Sequence, residues 1–149
     1  MIRFITHSTN LIANDLVNAH LIARDNEVIQ GEITFDDGVI LAQSPGHTSF
    51  ALCLQCDVGK AGRLILQTSV LPPRADPYIL DLELARHRIK LFLDLSENWG
   101  LFRLEDDNHA VKRWEESRLI FTKALVAEDI EEICVLSKES LRIAIDASE

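Results

Sequence analysis

Cys53 and Cys56 stand at C-x-x-C spacing, the one cysteine pair here whose types and separation suit a redox couple or half a zinc site. They fall within Ser49 to Val58, where Phe50, Leu52, Leu54, Cys56 and Val58 alternate with Ala51, Cys53, Gln55 and Asp57. On a strand, residues three apart point to opposite faces, so the two thiols are not expected to converge on one ion or close a disulfide. Cys134, between Ile133 and Leu136 in a helical pattern, reads as a small core residue. His7, His20, His47, His87 and His109 are scattered, with no carboxylate or cysteine at ligand spacing and no H-E-x-x-H. Neither a metal nor another cofactor is expected. Phosphate-cradling glycine loops and a G-x-S-x-G elbow are also absent, and Ser44-Pro45-Gly46-His47-Thr48-Ser49 reads as a polar connection between strands.

Carboxylates are abundant, 24 against 15 basic residues, so their proximity in sequence identifies no acid and nucleophile pair. Asp81 and Arg88 differ from the rest because they project between two apolar stripes of one helix, two turns apart. That placement predicts an ion pair fixing helix against sheet, with a ligand-facing pair as the alternative. The net charge of −9 disfavours a phosphate-tracking surface, so nucleic acid is not an expected partner. Arg86, Arg88 and Lys90 alternate with Asp81, Glu83 and Asp94 at helical spacing and read as a salt-bridged face.

Up to about residue 71 the pattern is that of short strands: Ile2 to Thr6, Ala19 to Arg24, Glu27 to Phe35, Val39 to Gln43, Ser49 to Val58 and Arg63 to Val70. Arg24-Asp25-Asn26 and Asp36-Asp37-Gly38 supply residues that tolerate positive φ, as hairpins require, and Gly59-Lys60-Ala61-Gly62 brackets another reversal. Pro72-Pro73 ends this region. Asp76-Pro77 then reads as a helix cap and first turn, opening a helix from Pro77 to Asn98. Leu80, Leu84, Leu91 and Leu95 form one apolar stripe of that helix and Leu82, Ala85, Ile89, Phe92 and Leu93 another, while Glu83, Arg86, His87, Lys90, Asp94 and Glu97 form a polar arc. Helices from about Asn108 to Ala127 and from Glu128 or Asp129 to Ala147 follow, their short connection predicting an antiparallel hairpin. The apolar line of the first is Val111, Trp114, Phe121 and Leu125, widened by Leu119 and Ile120. The second turns Ile130, Ile133, Cys134, Leu141, Ala144 and Ile145 inward. The expected fold is therefore α+β: an antiparallel sheet or small sandwich of about six strands, then a long buried helix and a C-terminal helical hairpin.

With 47% hydrophobic residues, the chain is expected to form a single domain, β-rich over 1–71 and helical over 77–149. Its apolar runs fall short of a membrane span, and no signal segment is seen. An odd number of cysteines fits a cytoplasmic or otherwise reducing compartment. Because apolar periodicity persists to Ile145 without a stop signal, the chain reads as the N-terminal part of a longer polypeptide.

Aromatic residues make up only 6%, and Phe4, Phe35, Phe50, Phe92 and Phe121 are assigned to the core. Tyr78, Trp99, Phe102 and Trp114 remain as candidate stacking rings for sugar. The stretch Gly62 to Pro72, followed by Pro77-Tyr78-Ile79-Leu80-Asp81-Leu82-Glu83-Leu84-Ala85-Arg86-His87-Arg88, resembles the N-terminal region of planctomycete endo-1,4-β-xylanase-like proteins, in which a non-catalytic segment precedes a glycoside hydrolase family 10 barrel. The likeness runs on through Trp99-Gly100-Leu101-Phe102, Arg118, Phe121 and Ala124-Leu125 to Ala144-Ile145-Asp146, and the barrel with its two catalytic glutamates has no counterpart here. The resemblance implies a non-catalytic accessory domain assisting xylan binding, with Tyr78, Trp99 and Trp114 as carbohydrate contacts and glycan or a hydrolase barrel in the same polypeptide as partner. The alternative is a protein-docking or structural module that binds no carbohydrate and seats a barrel or a second copy of itself.

Overall fold

The computed structural model describes residues 1–6, 19–58, 62–98 and 109–148. It is an α+β protein with two four-stranded sheets followed by three helices. The first sheet has the order β4 (Glu32–Asp36), β5 (Val39–Gln43), β1 (Ile2–Ile5), β8 (Tyr78–Ile79). The second has the order β3 (Val28–Ile29), β2 (His20–Ile22), β6 (Ala51–Asp57), β7 (Arg63–Gln67). All pairings are antiparallel except β1 with β8, where Phe4 faces Tyr78 in a parallel register.

Turn chemistry sets the hairpins. Asn26 (φ 65°), Asp37 (φ 49°) and Gly38 (φ 79°) occupy the left-handed region at two of the three sites where the sequence predicts reversals; at the third, Gly62 has φ 81° and Gly59 to Ala61 lie outside the described residues. The predicted strand Glu27 to Phe35 is instead divided between the sheets, β3 joining one and β4 the other. Gly31 is the corner. A Cβ there would collide with the Leu21 side chain and lie 2.7 Å from the Gln43 carbonyl oxygen, so only glycine lets the chain cross so closely.

Alternation along β6 works as expected. Leu52, Leu54 and Cys56 enter the main core with Phe50 and Val58, whereas Ala51 and Cys53 join Ile22 and Val70 in a small cluster on the other face. The main core gathers Ile2, Phe4 and Ile40 from one sheet with Leu21, Leu54 and Leu66 from the other, and is closed by helical side chains.

Those helices are α1 (Leu80–Asn98), α2 (His109–Val126) and α3 (Ile130–Ser148). The expected start at Pro77 is corrected: Tyr78 and Ile79 pair with β1, and the helix begins at Leu80. Asp76-Pro77 has the composition of a helix entrance, but long-range pairing with β1 takes the next two residues. The first turns of α1 are buried through Leu80, Asp81, Glu83, Leu84 and Ala85, and exposure grows toward Leu93. Glu83, expected in the solvated arc, is therefore corrected to a buried position.

The helix pair α2 and α3 meets through small side chains. Ser117, Phe121 and Ala124 form the buried line of α2, and the Ser117 hydroxyl donates to the Ser140 carbonyl (2.7 Å) while the Ser140 hydroxyl donates to the Ser117 carbonyl (2.8 Å). Leu119, Leu125 and Ile130, expected to face inward, are instead exposed. Phe35 is likewise exposed at the edge strand β4, not enclosed in the core. No described helix is long and apolar enough to cross a membrane.

Candidate functional site

Asp81 lies in the first turn of α1, where the helix dipole favours a negative charge. It is fully buried, and the Thr6 hydroxyl donates to its Oδ1 at 2.6 Å, joining the helix to the end of β1. Its charge also reaches Cys56, whose thiol is pushed up to about 12 by burial first, then by Asp81 and Cys53. Arg88 is two turns further on, half-buried in a narrow groove of about 100 Å³ lined by Ile65, Leu66, Gln67, Leu84, His87 and Leu91. Asp81 thus sits by the end of β1 and Arg88 beside β7.

Glu83 carries a different signal. One carboxylate oxygen, Oε2, is buried with no well-formed hydrogen bond among the described residues, and Arg86 Nε lies 3.3 Å away in an ion pair. Burial pushes this carboxyl above the ordinary carboxylate range, opposed by the charges of Arg86 and Arg74. One turn on, His87 is pushed down, chiefly by burial and then by Lys90 and Arg88. The sequence does not flag either residue, because helical spacing places both in the polar arc.

The candidate sugar-stacking rings are used for packing. Tyr78 is 5% exposed, its ring lies against Phe4 and beneath the Arg74 guanidinium (3.7 Å), and its hydroxyl donates to the Pro72 carbonyl at 2.6 Å. Trp114 is half-buried, stacked on Phe92, capped by Arg118, and its indole N–H donates to the Ile89 carbonyl at 3.3 Å. Trp99 and Phe102 lie outside the described residues. Both described rings are thus engaged by protein atoms, Trp114 being the less buried of the two.

Cys53 and Cys56 are free thiols on opposite faces of β6, and Cys134 is a buried thiol of α3. Among the described residues, no group of three histidine, cysteine or acidic side chains is arranged to hold a metal.

Two surface features remain. An open depression of about 710 Å³ lies where the β2–β3 turn, the loop 44–49 and Val70 converge, its polar lining including Arg24, Asp25, His47, Thr48 and Ser49. At the opposite compositional extreme, the α2–α3 turn exposes Leu125 (47%), Val126 (75%) and Ile130 (38%) among the exposed acids Glu128, Asp129, Glu131 and Glu132.

Compared with protein-family profiles, curated proteins and solved structures, the chain matches none.

Proposed function

We propose that this chain is a non-catalytic docking module whose α2–α3 turn seats an apolar segment of a partner protein rimmed by lysine or arginine. The observation carrying this reading is the patch of Leu125, Val126 and Ile130 set among four acids. Exposed apolar side chains of this size favour association through area removed from water, and the surrounding carboxylates select the sign of the partner's charge. A second copy of the chain would bring like acids together, and each copy carries a net charge of −9. The partner is therefore a cationic amphipathic helix or strand of another protein or domain.

This is an accessory role, as the xylanase-like resemblance implies, with protein and not xylan as the contact. Coverage of Tyr78 supports the shift. Trp114 is the described ring that keeps a sugar-assisting version in view.

The direct test is binding of a fluorescent Leu/Lys amphipathic peptide, read by anisotropy, to the wild-type chain and to Val126→Asp with Ile130→Asp. The expected result is loss of binding in the double variant, whose changes are on the surface, and no binding of a Leu/Glu peptide. Equal binding by both proteins overturns the proposal. Light scattering that shows a stable dimer of the wild type would replace the partner with a second copy. Titration with xylo-oligosaccharides while recording Trp114 fluorescence tests the sugar-assisting version, and a saturable change would restore it.

A further inference from the structure

The depression formed by the β2–β3 turn and loop 44–49 combines donors that have no partner among the described residues. The Arg24 side chain makes no ion pair or hydrogen bond among the described residues, whereas Arg74, Arg113 and Arg142 are each committed to carbonyls or carboxylates. The hydroxyls of Thr48 and Ser49, on the facing loop, also have no hydrogen-bond partner among the described residues. His47 completes the polar lining, and half-buried Ala23 and Val70 contribute apolar surface.

The supporting backbone is well defined. On one side, Ala23 and Glu27 close the hairpin by a backbone bond of 2.9 Å, and Asn26 adopts positive φ. Asp25 accepts a bond from the Glu27 amide at 3.1 Å through Oδ1, which leaves its second oxygen for another donor. On the other side, Ser44 bridges to His47, and the Ser44 hydroxyl donates to the Gln30 carbonyl at 2.6 Å. Both walls are therefore pinned by bonds that, among the described residues, engage only Asp25 Oδ1 of the lining side chains.

We infer that this depression binds a small hydroxylated molecule bearing a phosphate group. The guanidinium of Arg24 suits a phosphate through paired, charge-assisted hydrogen bonds, and imidazole and hydroxyl groups add further donors. Asp25 disfavours a bare anion but accepts from a ligand hydroxyl, so the carboxylate selects a phosphorylated polyol over free phosphate.

The test follows backbone amide shifts in NMR spectra of the full chain titrated separately with glycerol 3-phosphate, inorganic phosphate and glycerol. The expected result is saturable shifts confined to residues 23–25 and 46–49, with glycerol 3-phosphate binding more tightly than inorganic phosphate and glycerol producing none. Arg24→Ala should weaken binding about tenfold, the loss expected for one charge-assisted contact, while Arg118→Ala leaves it unchanged. Asp25→Ala should narrow the gap between glycerol 3-phosphate and inorganic phosphate. Absence of saturation at millimolar ligand, shifts spread over the basic side chains generally, or undiminished binding by Arg24→Ala each overturns the inference. Preference for inorganic phosphate overturns the polyol component.

Discussion

Glu83 holds a buried carboxylate whose desolvation outweighs the nearby charges of Arg86 and Arg74. Because its native proton affinity is raised, the folded chain binds more protons than the unfolded chain at pH values above the ordinary carboxylate range. Stability must then fall as pH rises through that window. Glu83→Gln should therefore raise the melting temperature at neutral pH by a few degrees, corresponding to about 1 kcal/mol. The gain should shrink as the buffer is acidified below the ordinary carboxylate range, and melting by circular dichroism across pH checks it. His87 acts in the other direction. Its depressed affinity means that stability is present above the ordinary imidazole range and is lost as pH falls toward the lowered value. His87→Gln should flatten the acid side of the profile while leaving the neutral side unchanged. The cysteines give a third check at this scale. Cys53, Cys56 and Cys134 are all buried, and burial also raises the Cys53 and Cys56 thiols. A thiol reagent should leave the native protein unmodified and label all three after denaturation.

At the scale of elements, the reciprocal Ser117 and Ser140 bonds are the buried polar contact between α2 and α3, while Arg113 and Asp146 pair across their exposed side. Ser117→Ala removes a donor to a buried carbonyl and should cost about 1–3 kcal/mol in urea unfolding. Combining it with Ser140→Ala should cost less than the two losses together, because the hydroxyls, 3.1 Å apart, share one network. Gly31→Ala is a separate test of the corner between sheets. Crowding against the Gln43 carbonyl should cost about 1–3 kcal/mol without changing helical content.

Across the whole molecule, the parts legible in the sequence are those fixed by local periodicity and turn chemistry. The period-two run through Cys56 places the C-x-x-C thiols on opposite faces, and Asn26, Asp37 and Gly38 mark reversals that the fold uses. Long-range competition conceals the rest. Tyr78-Ile79 looks like the opening of a helix until β1 pairs with it, and Gly31 looks like an interior strand residue until two sheets require a corner there. Leu125 and Ile130 continue apolar periodicity, but a small-residue interface leaves them outside. The depression beside Arg24 is hidden for the same reason, since its walls come from three separated segments. If the acidic turn seats a basic partner, raising the salt concentration should slow association more than it speeds dissociation, which stopped-flow measurements resolve.

The position of β1, between β5 and β8, sets an order of assembly. Phe4 must wait for Ile40 on one side and then for Tyr78, about seventy residues further along, on the other. Synthesis from the N-terminus therefore delivers the middle ribbon of that sheet long before its far neighbour, and the sheet stays unfinished until α1 is about to emerge. A chaperone or nascent-chain partner that shields Ile2 and Phe4 during that interval would cover an edge that otherwise waits unpaired for Tyr78.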